Sequence, residues 1–228
     1  MLRIHIDVEK RRKLQAILSK YSNYEEFSAN KKDAYAYTEL LGVIVCPYCN
    51  LSYIHTVKDV VRPDIDHFEA KKAVPGKSLN VANLIPACLP CNMRIKGRKK
   101  FRKKTHLYPL RDSLDEIKRF SLDIKSPALR RLEDFSIQMV NISTDKRTLG
   151  RADESIRALR IVERYQLHKP EVLEILNKAR FYHSRKISEL ERLTETSQLR
   201  RWLFDDLYRP VELRPLGKLR KDITVAVL

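Results

Sequence analysis

The chain has 228 residues, a formal charge of +17, 43% hydrophobic residues and only five glycines. That much apolar side chain in a chain of this length builds a folded core and excludes a disordered or collagen-like polypeptide. The basic excess favours polyanions, nucleic acid ahead of an anionic membrane, and no apolar run reaches the roughly 18 residues of a membrane span.

In chain order, residues 1–38 read as mostly helical. Val8, Leu14, Ile17 and Leu18 fall near one face of VEKRRKLQAILSKY, with Lys and Arg opposite. Ser22, Asn23 and Tyr24 interrupt the pattern, and a second helix is expected over 24–41. Together these form a helical brace, 1–41, that Gly42 ends. Region 42–110 mixes extended and turn signals: LSYIHTV is β-prone, 60–68 reads as extended, Pro75-Gly76 as a turn, and 92–103 as a short helix. Region 111–228 opens with two strands, IKRFSLDIK and DFSIQMVNIS. Phe120, Leu122 and Ile124 alternate in the first, and Phe135, Ile137 and Met139 in the second. Helices follow over 151–166, 169–193 (Pro170 in its first turn) and 198–208, stopped by Pro210 and Pro215. The terminal ITVAVL reads as a strand or as an apolar tail packed on a partner.

The chemistry concentrates between positions 46 and 96. All four cysteines lie in two CxxC pairs, Cys46/Cys49 and Cys88/Cys91. The x2 spacing lets both sulfurs of a pair face one tetrahedral ion at about 2.3 Å. Four thiolates leave no open position, so this zinc is structural, and cysteines used only this way suit a reducing cytoplasm. MLRIHIDVEKRRKLQ lacks the apolar core of a secretory signal, which agrees with a cytoplasmic location.

Between the knuckles stand Asp66, His67 and Asn83, and Asn92 directly follows Cys91. Phosphodiester hydrolysis needs a base for water and a hard cation for the charge on phosphate and leaving oxygen. A neutral His67 suits the first task. Asp66 and Asn92 offer oxygen ligands for Mg²⁺ or Mn²⁺. Asn83 suits a supporting position that holds the His67 loop or orients the ring.

The order CPYC, DH, NLIPACLPCN and a following Lys resembles the HNH endonuclease family of the His-Me finger (ββα-metal) superfamily, in its four-cysteine form, over 46–104. The resemblance implies an α+β, mostly helical protein. A zinc-clamped ββα-metal HNH finger would be flanked by N- and C-terminal helical regions. It also implies His67 as general base, Asp66 and Asn92 as ligands of the catalytic cation, and Asn83 as the middle residue of the motif. The family often has His where this chain has Asn92. Asp64 and Lys96 match less sharply defined positions, and Lys96 is expected on a phosphate. CPYCN and THLYP are also similar to small bacterial HNH proteins that work beside an ATPase in anti-phage defence, which implies an ATPase partner. His106 would then approach the site from outside the finger; as a lone histidine it reads first as a packing or surface residue.

Residues 94–104, RIKGRKKFRKK, hold eight basic residues and no acidic one. Placed just after the expected metal ligand, Lys96, Arg98, Lys99, Lys100, Arg102, Lys103 and Lys104 are expected along the phosphates of DNA, ahead of RNA. Phe101 among them reads as core. Arg157, Arg160, Arg164, Arg200 and Arg201 read as helix-surface charges paired with Glu154, Glu163 and Asp205. The competing reading is a zinc-ribbon nucleic-acid-binding protein without catalysis. It shares the zinc and the charge but has no use for a base beside a carboxylate.

Overall fold

The computed structural model describes residues 1–70, 78–194 and 198–228; the turn expected at Pro75-Gly76 lies outside these. The first six residues are extended, not helical, and bury Met1, Leu2 and Ile4. Leu2 N donates to Pro47 O and Ile4 N to Pro109 O, both at 2.7 Å, so this segment ties the first knuckle to the end of the finger. Helix α1 (Val8–Leu18) begins where Asp7 caps it by accepting from Lys10 N. The expected second helix divides into α2 (Tyr24–Ala29) and α3 (Lys31–Leu41), because Asn30 leaves helical geometry to cap α3 through Asp33 N. Gly42, at φ 65°, ends α3 in the left-handed region that glycine tolerates. Leu14, Leu18, Phe27, Tyr37 and Leu41 of these helices pack on Ile65 and Leu84.

Ile65 and Leu84 belong to the ribbon that carries the site. Strand β1 (Asp64–His67) runs antiparallel to β2 (Leu84–Ala87), with Asp66 opposite Ile85 and His67 opposite Leu84. The β-prone stretch before it contributes only isolated bridges, Val45 to Tyr53 and Val57 to Val61. After β2 comes a widened helical turn, Pro90–Lys96, in which Gly97 N bonds five residues back to Asn92 O at 3.0 Å. The helix expected over 92–103 therefore ends at Lys96. Gly97 has φ 47°, and a Cβ there would lie 3.3 Å from Met93 O. Most of the basic run is consequently irregular chain.

Beyond the finger, β3 (Lys118–Ile124) and β4 (Phe135–Asn141) pair antiparallel, as their alternation predicts, with Phe120 opposite Met139 and Leu122 opposite Ile137. Both expected long helices break. Helix α4 (Lys146–Ala158) starts earlier than expected because Asp145 caps it, and Arg160, at φ 53°, separates it from α5 (Ile161–Tyr165). Helix α6 (Lys169–Phe181) carries Pro170 in its first turn, and α7 (Ser184–Leu193) follows a break at Tyr182. The expected 198–208 helix reduces to α8 (Leu199–Leu203) and one tight turn, Asp205–Leu207.

The terminal ITVAVL corrects the expectation most: it is helical, within α9 (Gly217–Val227), packed against β3 and α6. Its β-branched residues cost roughly 0.7 kcal/mol each at most against Ala. Full burial of Leu219 and Ile223 returns about 1.5–3 kcal/mol each, so packing prevails over propensity. One apolar cluster joins Cys46, Phe68 and Phe101 of the finger to Phe120, Tyr165 and Ile223 beyond it. Region 42–110 and the C-terminal region thus share a core. Among the described residues, no helix is long and apolar enough to cross a membrane.

Candidate metal centre and active site

The turn after Val45 presents Cys46 and Cys49, Cys88 directly follows β2, and Cys91 stands in the helical turn Pro90–Lys96. All four are buried, and their sulfurs lie within 4.8 Å of one another. Zinc bonds of about 2.3 Å to four sulfurs require sulfur–sulfur edges of about 3.8 Å; Cys49 Sγ and Cys88 Sγ are 3.9 Å apart. Burial, with the neighbouring sulfurs, pushes the Cys46 thiol well above its ordinary range. Ionising such a cluster calls for a cation, and the donor set fits zinc. Leu51 N and Cys88 N donate to Cys49 Sγ and Cys46 Sγ, each at 3.4 Å.

Two contacts to this cluster carry no sequence signal, because their partners lie far along the chain, and Asn50 beside it bonds across to the C-terminal region. Arg164 Nη1 of α5 reaches Cys91 Sγ at 3.4 Å. Burial lowers the pKa of that guanidinium, but the charges of Cys91 and Cys49 raise it more, so it stays cationic and offsets thiolate charge. The expectation of an ordinary surface charge fails for Arg164, whereas Arg157 and Arg160 do pair with Glu154 and Glu163. Asp205 pairs with Arg209 rather than with Arg200 or Arg201. Tyr165 Oη donates to Cys49 O at 2.7 Å. Asn50, buried and left-handed at φ 54°, donates to Val211 O at 3.0 Å and accepts from Lys218 N at 3.0 Å. Its only sequence cue is that Asn tolerates this conformation.

The two-residue period of β1 separates neighbours in sequence. Asp64 and Asp66 face the helical turn. Asn92 Nδ2 lies 3.2 Å from Asp64 Oδ2, and Lys96 Nζ donates to Asp66 Oδ1 at 2.9 Å and to His67 O at 2.8 Å. Tyr48 Oη donates to Asp66 Oδ2 at 2.5 Å; burial and then the Asp66 charge push that phenol well above its usual range, so it keeps its proton. Lys96 is only 4% exposed and so is withdrawn from the basic run: it neutralises a buried carboxylate instead of reaching outward to a phosphate. Asp66 uses two of about four lone-pair directions in these bonds.

The His67 ring lies on the other face, edge-on to Tyr24 with centroids 4.5 Å apart. Tyr24 Oη donates to Ile65 O at 3.0 Å. His67 Nε2 is 3.0 Å from Ser78 O. A carbonyl only accepts, so a neutral ring carries its proton on Nε2, and Nδ1 is the basic nitrogen. Asn83 clamps the chain just past the ring: Oδ1 accepts from Glu69 N at 2.8 Å and Nδ2 donates to Glu69 O at 3.0 Å. The structure thus gathers Asp64, Asp66, Asn92 and Lys96 on one face, and His67 with its Asn83-held loop at the strand's end.

Of the basic run, Arg98, Lys99, Lys100, Arg102 and Lys104 are exposed, Lys103 is half-buried, and Phe101 is core. His106 stacks on Phe101 with centroids 4.1 Å apart, and burial lowers its pKa; it is a packing residue. No protein-family model, curated protein or solved structure matches the chain.

Proposed function

We propose that the protein is a divalent-metal-dependent DNA endonuclease of the HNH type. The observation that carries this reading is the setting of His67: the last residue of β1, its Nε2 on the Ser78 carbonyl and its following loop pinned by Asn83. With Nε2 on a carbonyl, a neutral ring has Nδ1 as its basic nitrogen, which supports His67 as a water-activating base. In this reading Nδ1 of His67 takes the proton of the attacking water.

The oxygens of Asp66 and Asn92, with Asp64 beside them, have the hard-donor chemistry that suits Mg²⁺ or Mn²⁺. Asp66 retains lone pairs beyond its bonds to Lys96 and Tyr48. Such a cation, when bound, stabilises charge on the phosphate and on the leaving 3′-oxygen. Lys96 holds the backbone of His67 and the carboxylate of Asp66 in one register, and the exposed Lys and Arg of 98–104 supply contacts to DNA phosphates. The four cysteines hold zinc with a structural role.

The test is plasmid cleavage with Mg²⁺ or Mn²⁺, wild type beside His67→Ala. Metal-dependent nicking lost in the variant supports the reading, and undiminished cleavage by the variant overturns it. The similarity of CPYCN and THLYP adds an ATPase partner and a role in anti-phage defence to the proposal. Cleavage that rises when a partner ATPase is added would support that part, and equal cleavage with and without it would count against it. A non-catalytic zinc-ribbon binder is the second reading; the neutralisation of Asp66 by Lys96 favours it, and the same assay separates the two.

A further inference from the structure

The tertiary structure assembles a basic cleft that no stretch of sequence contains. A depression of about 360 Å³ is lined by Lys103, Lys104, Arg111, Arg147 and Arg151, with Asp145 and Thr148. Three stretches build it: the end of the basic run, Arg111, and the first turns of α4 with its cap. Among the described residues its charge is only partly compensated. The Asp145 carboxylate is committed to capping α4, accepting from Thr148 N at 3.0 Å and Arg147 N at 3.4 Å. Asp112, behind the wall, pairs with both Arg111 and Arg151. Even with Asp112 counted, five cations face two carboxylates. Among the described residues the exposed side chains of Lys104 and Arg147 have no carboxylate partner. Because Asp145 already caps the helix amides, attraction in the cleft comes from side chains.

The cleft adjoins the loop that follows His67. Lys103 Nζ lies over the Tyr108 ring at 4.2 Å. Tyr108 packs on Phe68 with centroids 5.0 Å apart, and Phe68 is the residue after His67. Two packed aromatic rings, Tyr108 and Phe68, therefore link the Lys103 wall of the cleft to the residue after the candidate base.

We infer that this cleft is a phosphodiester-binding subsite that seats the DNA backbone beside the His67 loop, with Lys104 and Arg147 as its principal contacts. The identity of the polyanion rests on the nuclease reading; the site itself rests on the cleft. Positive side chains converging from separate stretches of the chain fix where a backbone lies without reading its bases. The expected signature is a strong, salt-dependent, sequence-independent contribution to binding.

The experiment uses the full chain and a labelled duplex of mixed sequence, with anisotropy read across a NaCl series. Lys104→Glu with Arg147→Glu is compared with Arg200→Glu with Arg201→Glu, an equal charge change on exposed residues of α8. The cleft variant should bind at least tenfold more weakly at 0.1 M salt, and the log–log salt slope should fall by about two, one for each phosphate no longer neutralised. The α8 variant should remain within about threefold of wild type under the same counter-ion reasoning. Equal weakening of both variants, an unaffected cleft variant, or a wild type that does not bind the duplex each overturns the subsite. Circular dichroism and zinc content of the cleft variant should match wild type, and loss of either is repeated with Lys104→Ala and Arg147→Ala, judged on the same slope. Wild type that binds through the cleft yet leaves plasmid intact overturns the nuclease reading and upholds the subsite.

Discussion

The cysteine cluster and the polar face of β1 lie on adjoining segments, yet they are built to different rules. The cluster is closed: four buried sulfurs within 4.8 Å, with donors from Leu51, Cys88 and Arg164 around them. The β1 face is mixed: Asp66 is sealed by Lys96 and Tyr48, while Asp64, His67 and Asn92 remain half-buried. In the proposed reading a complete coordination sphere would serve stability, and the partly exposed oxygens and held imidazole would leave room for a substrate. Because Asn92 directly follows Cys91, the cysteine cluster sets the position of Asn92.

Removing a sulfur is the strongest way to break this pairing. Cys91→Ser should lose zinc and unfold the finger, since structural zinc contributes about 10–16 kcal/mol of apparent binding energy to folding. Metal content near one zinc per chain with an unchanged melting curve would refute the closed centre. His67→Ala probes the open side alone. Cleavage should fall by about 10²–10⁴-fold while zinc content and melting temperature hold, and parallel loss of stability would mean that His67 is a packing residue.

Lys96→Met tests the seal between the two. It leaves Asp66 buried without its cation, at a cost of about 3–5 kcal/mol in chemical denaturation. Adding Asp66→Asn should recover more than half of that loss, and no recovery would show that the pair is not coupled. Arg164→Gln sharpens the comparison from the far side. Zinc affinity should drop by about 10–100-fold, as for groups that support metal ligands, measured by competition with a chromogenic chelator. The smallest effect is expected of Asn83→Ala, about 1–3 kcal/mol for withdrawing the acceptor from Glu69 N. Cleavage should fall with it, because the His67 loop loses its clamp.

The cysteine cluster and the β3–β4 pair were legible in the chain. Cysteine spacing anticipated the cluster because a metal's geometry is short-ranged and demands particular ligands at particular intervals. Alternation anticipated β3 and β4, since Phe120, Leu122, Phe135 and Ile137 each follow the strand period. Lys96 and Arg164 were misplaced for a common reason. A basic residue reads as surface unless its counter-charge is known, and those partners, Asp66 and Cys91, lie 30 and 73 positions away. The long helices predicted across Asn30, Arg160 and Tyr182 failed because periodicity reports an apolar face but not where the chain must turn to close a core.

By itself the sequence supplied the groups in question: four thiols at knuckle spacing, a histidine beside a carboxylate, an asparagine on the last cysteine and a dense run of positive charge. Those are properties of residue type and local interval. Only the tertiary structure decided which charges are buried and which are offered. It sealed Asp66 with Lys96, turned Arg164 onto a sulfur, folded the β-branched tail into α9, and brought Arg147 to Lys104. Each depends on contacts between distant segments, whose balance of burial and desolvation local sequence does not encode.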